Sequence, residues 1–201
     1  MKKVVMFGST GMTGLCALEY AVEKGLQVRV FVRDKAKIPN HLSRKVDIVV
    51  GDVQNAEEVE NAVAGQEGVV VILGTRNDLS PTTVLSEGMK NIIAAMKNTN
   101  VEAISVCLSV YLFYKPDDIP RIFQDIVDEH ERMLNVLKAS ELKWVAVFPP
   151  RIAETPGGKF TVKHDESPGR VISKHDLGKF LVDCLDQSEH HQQLCGIAEC
   201  T

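Results

Sequence analysis

The chain has 201 residues, 44% hydrophobic and 25% charged, with 23 basic against 27 acidic side chains and a net charge of −4. That length suits a single domain whose core needs no disulfide or metal staple. Without a basic block there is no electrostatic basis for nucleic-acid binding, and no apolar run approaches the roughly 18 residues of a membrane span.

The first apolar run, "KVVMF", halts at a glycine turn after Phe7, too short for the core of a secretion signal. The cysteines, Cys16, Cys107, Cys184, Cys195 and Cys200, are odd in number and hold no Cys-x-x-Cys pair. Reduced thiols in a cytoplasmic protein are expected, with Cys16 and Cys107 as small core residues.

In chain order, "KVVMF", "QVRVFV", "VDIVV", "GVVVIL", "VEAISVCLS" and "KWVAVF" are short runs rich in β-branched residues. They are nearly continuous rather than alternating, the pattern of parallel strands covered on both faces. Helix-like stretches lie between them. "MTGLCALEYAVEKG" carries Leu15, Leu18, Ala21 and Val22 at helical spacing and stops at Lys24–Gly25. "NAEEVENAVAG" opens on Asn55 as N-cap, has Glu57 and Glu58 in its first turn, and ends at Gly65. "TTVLSEGMKNIIAAMKN" and "RIFQDIVDEHERMLNVLKAS" are longer helices, and "KHDLGKFLVDCLDQ" is the last.

Six strands alternating with helices predict an α/β doubly wound parallel sheet of Rossmann type, three layers deep, in one domain spanning 1–201. Residues 151–172 read as a small substrate-side lobe over the carboxyl edge, with short strands near Phe160–Val162 and Arg170–Ile172. Residues 186–201 read as a tail.

Between the first strand and first helix stands "MFGSTGMTGLC", with Gly8, Gly11 and Gly14 at a spacing of three and three. Gly8 suits a tight turn, Gly11 lets a diphosphate approach the backbone, and Gly14 lets the helix pack on the sheet. Backbone N–H groups from Met12 onward face the phosphates at the helix start, and Thr10 and Thr13 add hydroxyl donors.

The second strand indicates which dinucleotide. Binding of NAD usually needs an acidic residue at its end for the ribose hydroxyls. Here the strand runs into Arg33, followed by Asp34, Lys35 and Lys37. A guanidinium fork fits a 2′-phosphate, so NADPH/NADP is the expected cofactor, with Lys37 assisting and Asp34 turned outward. Asp52 and Val53 suit the adenine amine and ring. Leu73, Gly74, Thr75 and Arg76 pass the ribose and diphosphate.

"YLFYK" offers Tyr111 and Lys115, the spacing of the tyrosine–lysine pair of short-chain dehydrogenases. That pair works on a helix, where i and i+4 share a face, but Lys115 precedes Pro116 and avoids helical angles. The match is read as coincidence. In the tail, His190 and His191 are adjacent and point to opposite sides of an extended chain, so His190, His191, Cys195 and Cys200 are not expected to hold a metal.

"GTRNDLSPTTVLSEGMKNI" (74–92) and "PGRVISKHDLG" (168–178) closely resemble the biliverdin-IXβ reductase or NADPH-dependent flavin reductase family, an atypical short-chain-dehydrogenase-like group. The resemblance runs from the glycine turn to about Leu185. It implies a cytosolic monomer that passes hydride from NADPH to flavin N5 or to the central methine carbon of a linear tetrapyrrole, with the proton drawn from solvent. By position it makes Ser109 and His130 the catalytic candidates. It puts Leu108, Pro149, Pro150, Arg151 and Ile152 beside the nicotinamide. The family's "PPHI" is "PPRI" here, so Arg151 replaces a titrating imidazole with a permanent cation. Leu112, Phe113, Arg76, Arg121, Arg151 and Arg170 are candidates to line the acceptor site. The rivals are an NADP-binding regulator without turnover and a dehydrogenase using Tyr111.

Overall fold

The computed structural model describes residues 1–200. Its main sheet holds β1 (Lys3–Phe7), β2 (Gln27–Val32), β3 (Asp47–Val50), β4 (Gly68–Val71), β5 (Ala103–Cys107), β6 (Lys143–Phe148), β8 (Phe160–His164) and β10 (Gln193–Glu199), in the order β3-β2-β1-β4-β5-β6-β10-β8. All neighbours run parallel except β8, which pairs antiparallel with β10. β7 (Arg151–Ala153) and β9 (Val171–Ser173) form a separate parallel pair.

The helices are α1 (Met12–Glu23), α2 (Asn40–Ser43), α3 (Ala56–Val63), α4 (Val84–Thr99), α5 (Gln124–Lys138) and α6 (Lys174–Asp183). None is long and apolar enough to cross a membrane among the described residues.

The continuous apolar strands arise because both faces are covered. Along β1, Val5 and Phe7 join a cluster with Val59, Met89, Ile92 and Met133 from α3, α4 and α5. Val4 and Met6 join the opposite cluster with Leu18, Leu177 and Leu181 from α1 and α6. The pleat sends successive side chains to opposite faces, and each large side chain fully buried contributes about 1.5–3 kcal/mol.

The caps follow the sequence. Asn55 accepts the N–H groups of Glu57 and Glu58 at 3.2 and 3.3 Å. Gly25 closes the end of α1 in the left-handed region at φ +84°.

Two expectations are corrected. The sheet has more than six strands, because the segment set apart as a tail supplies β10, inserted between β6 and β8. Nor does 151–172 simply lie over the carboxyl edge, since β8 from this segment is itself an edge strand of the main sheet. The rest of that segment is fastened to α6, where Asp176, only 4% exposed, accepts the Gly158 N–H at 2.9 Å.

Strand order reverses between β1 and β4. The chain first builds outward through β2 and β3, then returns to build β4, β5 and β6 on the other side. The loops leaving β1 and β4 therefore diverge, opening a crevice at the carboxyl ends of the strands.

Candidate functional site

A cleft of about 970 Å³ fills that crevice. Its floor is the glycine turn. Gly8 has φ +89°, and a Cβ there would run into the Ile72 carbonyl, so the fold itself demands glycine. At Gly14 a Cβ would lie 2.9 Å from the Ser9 Cα, so close packing demands it again. Gly11 differs. It caps α1 at φ −83°, and the nearest atom to an added Cβ is the Gly8 carbonyl oxygen at 3.6 Å, an ordinary contact. The protein has room for a side chain at position 11, and that room belongs to the cleft.

The N–H groups of the first turn of α1 have no partner within the helix, and no side chain caps them. They offer an anion site, strengthened by the helix dipole. The Ser9 hydroxyl beside them is fully buried and unpartnered.

Around this floor the cleft is lined by Thr10, Gly11, Met12, Thr13, Arg33, Asp52, Val53, Leu73, Gly74, Thr75, Arg76, Leu108, His130 and Ile152 from the sequence-derived set. Arg33 follows β2 directly, is exposed, and makes no ion pair or hydrogen bond among the described residues. Asp34 is turned onto its own chain, where its carboxylate accepts the Ala36 N–H at 2.9 Å and caps the short turn Lys35–Lys37. Asp52 accepts the Gln54 N–H at 2.9 Å. Val53 is largely core, packed under Gly88 of α4.

Arg76 reaches across the cleft and donates to the Thr10 hydroxyl at 3.2 Å. Both Arg76 and Asn77 hold left-handed backbone, at φ 55° and 69°, a conformation costly for arginine and easier for asparagine. The loop they begin, through Thr82, lines the cleft as well. It is tied down where Arg132 of α5 donates to the Thr82 carbonyl at 2.9 Å.

His130 lies on α5 with its ring half-buried and its Nδ1 buried and unpartnered. Burial pushes its imidazole down to about 4, against a weaker upward pull from the Glu129 carboxylate. It is neutral at physiological pH, and so is Cys107 at the cleft floor, its thiol pushed up to about 12 by burial.

Other sequence candidates stand outside the lining. Lys37 is exposed on its turn. Ser109 is half-buried, and its hydroxyl oxygen accepts the Tyr111 N–H at 3.3 Å. The Pro149 carbonyl accepts the Val110 N–H at 3.1 Å, and from "PPRI" only Ile152 reaches the lining, not Pro150 or the exposed Arg151. Of the acceptor-side candidates only Arg76 lines the cleft; Leu112 and Phe113 pack against the core, and Arg121 and Arg170 are exposed. Tyr111 lies in a short turn, Val110–Phe113, stacked on Phe123 at 5.4 Å, while Lys115 is extended at ψ 146°. No helix joins the two.

Sequence reasoning missed Phe31, Ile126 and the stretch from Asn77 to Thr82. Ile126 lies four residues before His130 on α5, a spacing that puts both on one helix face and could have revealed it.

A glycine turn between strand and helix, one glycine the fold does not need, uncapped helix N–H groups and a free arginine after β2 together form a dinucleotide seat. The family described as NAD(P)H-binding matches residues 8–188, and the protein belongs to it. Among curated relatives, a 3-beta-hydroxysteroid dehydrogenase from Mycolicibacterium neoaurum is 25% identical over 151 residues, covering 70% of this chain and 39% of that one. An N-acetyl-alpha-D-glucosaminyl-diphospho-ditrans,octacis-undecaprenol 4-epimerase from Escherichia coli O157:H7 is 27% identical over 57% of this chain and 36% of its own. The chain thus spans well under half the length of these relatives.

Two solved structures share the fold across nearly the whole length. A short-chain dehydrogenase/reductase from Veillonella parvula DSM 2008, in complex with NADP, matches with a TM-score of 0.82 at 18% identity over 98% of this chain and 94% of that one. An anaerobillin reductase from Escherichia coli O157:H7 matches with a TM-score of 0.81, also at 18% identity, over 98% and 96%.

Proposed function

We propose that this protein is an NADPH-dependent reductase whose acceptor is a flat conjugated molecule, a flavin or a linear tetrapyrrole. The observation that carries the reading is a missing acid. Among the described residues lining the cleft there is no tyrosine and no lysine, and the single imidazole is held neutral. A carbonyl reduced to an alcohol needs a proton donor beside the developing alkoxide. A conjugated acceptor delocalises the incoming electron pair and takes its proton from water.

The bound dinucleotide would supply the hydride. The chain's own part is to hold it through the backbone N–H groups of Met12 and Thr13 at the start of α1 and through Arg33, and to present the acceptor against it, where proximity does most of the work. His130, neutral and with its buried Nδ1 unpartnered, is not suited to proton donation. Support also comes from the family resemblance of residues 74–92 and 168–178, and from the shared fold of an anaerobillin reductase.

NADPH is preferred over NADH on this reading because Arg33 is free while Asp34 is committed to its own turn. A charge-assisted hydrogen bond contributes about 1.5–3 kcal/mol, so Arg33→Ala should weaken NADPH binding about ten- to hundredfold and spare NADH. Equal losses for both cofactors would overturn that role.

Turnover is tested by following the loss of NADPH absorbance with added FMN, then with biliverdin. Oxidation that survives Tyr111→Phe supports the proposal. Tight NADPH binding without oxidation of either mixture refutes it and leaves a coenzyme-binding regulator.

A further inference from the structure

At the far edge of the sheet three metal-ligating side chains converge, and none of them lines the dinucleotide cleft. His164 ends β8, and its register partner on β10 is Cys195. Residues directly opposite in an antiparallel pair put their side chains on the same face, so the register alone sets imidazole beside thiol. His190 arrives from the short turn Ser188–His190 that precedes β10. Its ring is held edge-on against Phe180 and against His164, each at 5.2 Å between centroids.

The ligand atoms all lie within 4.8 Å of one another. His164 Nε2 is 3.0 Å from His190 Nδ1, and Cys195 Sγ is 3.8 Å from the same nitrogen. Ordinary zinc–nitrogen and zinc–sulfur bonds at tetrahedral angles need separations of about 3.3 Å and 3.6 Å. Shifts of a few tenths of an ångström suffice for these two pairs; the third, His164 to Cys195, lies within 4.8 Å and closes the rest of the way by movement of the exposed His164 side chain.

We propose that His164, His190 and Cys195 form a binding site for a zinc-like divalent cation, with water completing its coordination on the exposed side of His164. The residue types suit it, since imidazole and thiolate together select borderline-soft metals. Burial, with the His164 charge adding to it, holds His190 below the usual imidazole range, which favours the neutral ring that a metal binds. The Asp165 carboxylate acts on the Cys195 thiol, a negative field that a cation would relieve. Because burial pushes that thiol up to about 12, the ion must displace its proton and release it to solvent.

The role would be structural: β8 has one neighbour in the sheet, and the ion would pin it to β10 and to the turn before it. The proposed ligand set differs from the cluster of histidines and cysteines in the tail. His191 bonds to the Leu185 carbonyl and Cys200 meets Thr161, while the missing ligand comes from His164, 26 residues before His190.

The full chain, stripped of metal by chelation, is titrated with Zn²⁺ by calorimetry and with Co²⁺ by absorption. One equivalent of each should bind. Cobalt should give a thiolate charge-transfer band, and zinc at about a hundred times its Kd should raise the unfolding midpoint by roughly 5–10 °C. His164→Ala changes an exposed side chain and leaves the core intact; it should weaken zinc at least about tenfold. Cys195→Ser should abolish the cobalt band. No band with the native chain, or zinc affinity unchanged in His164→Ala, would overturn the proposal and leave only a hydrogen-bonded histidine pair.

Discussion

Gly11 and Gly14 are three residues apart, yet different things constrain them. An alanine at position 14 meets backbone that cannot move aside, and overpacking of that kind costs about 3 kcal/mol. Gly14→Ala should lower the unfolding midpoint by roughly 6–12 °C. At position 11 an alanine touches nothing closer than 3.6 Å. Gly11→Ala should move the midpoint by less than about 3 °C while weakening NADPH at least about tenfold, because its methyl occupies the diphosphate's place. Thermal melts paired with cofactor titration separate the two.

His130 gives the molecule an acid-sensitive group. Its folded value of about 4 lies below the ordinary 6.5, so between these values the unfolded chain binds the extra proton. Stability from this residue is present above the ordinary value and is lost as pH falls through the folded one. With a discount for a half-buried ring the contribution is about 2 kcal/mol. His130→Phe should therefore lose about that much less unfolding free energy than the native chain between pH 6.5 and 4, as read by denaturant titration at each pH. Its position on an amphipathic helix could be read from the sequence; its burial could not, because flanking Glu129 and Glu131 suggest a solvated face.

Glu129 shows why, at the scale of elements. It is fully buried and turned toward α4, where its carboxylate accepts the Ser86 N–H at 2.7 Å and the Ser86 hydroxyl at 2.9 Å. Arg132 completes the arrangement, donating to Glu129 at 2.9 Å and to the Thr82 carbonyl at the cleft's rim. One helix thus caps another, an acid at a helix N-terminus provided from a distant stretch of chain. Glu129→Ala should lower the unfolding free energy by about 2–3 kcal/mol and speed hydrogen exchange at residues 82–86.

Other elements were more legible. β1, β2 and β6 coincide with apolar runs in the sequence, because a strand buried on both faces needs apolar residues with little interruption. The backbone at Lys115 was legible from local chemistry alone: a residue before proline leaves the helical region, and Lys115 does.

For the whole molecule, the C-terminal stretch matters out of proportion to its sequence signal. β10 lies between β6 and β8, with Cys195, Gly196, Ile197 and Ala198 buried. Gly196 allows the Glu166 carbonyl to approach where a side chain would collide. Truncation after Gln187 would expose the edge of β6 and leave β8 unpaired. It should yield an aggregating chain without a cooperative melt, as judged by size-exclusion chromatography and calorimetry.

The residue series by itself determined the alternation of strand and helix, the glycine turn and the arginine after the second strand, because each depends on neighbours within a few positions. Tertiary structure alone decided that Gly11 is spare, that His130 is neutral and that His164 meets His190 and Cys195. Those properties are set by atoms brought in from remote parts of the chain, through register, packing and loss of water, and no local pattern encodes them.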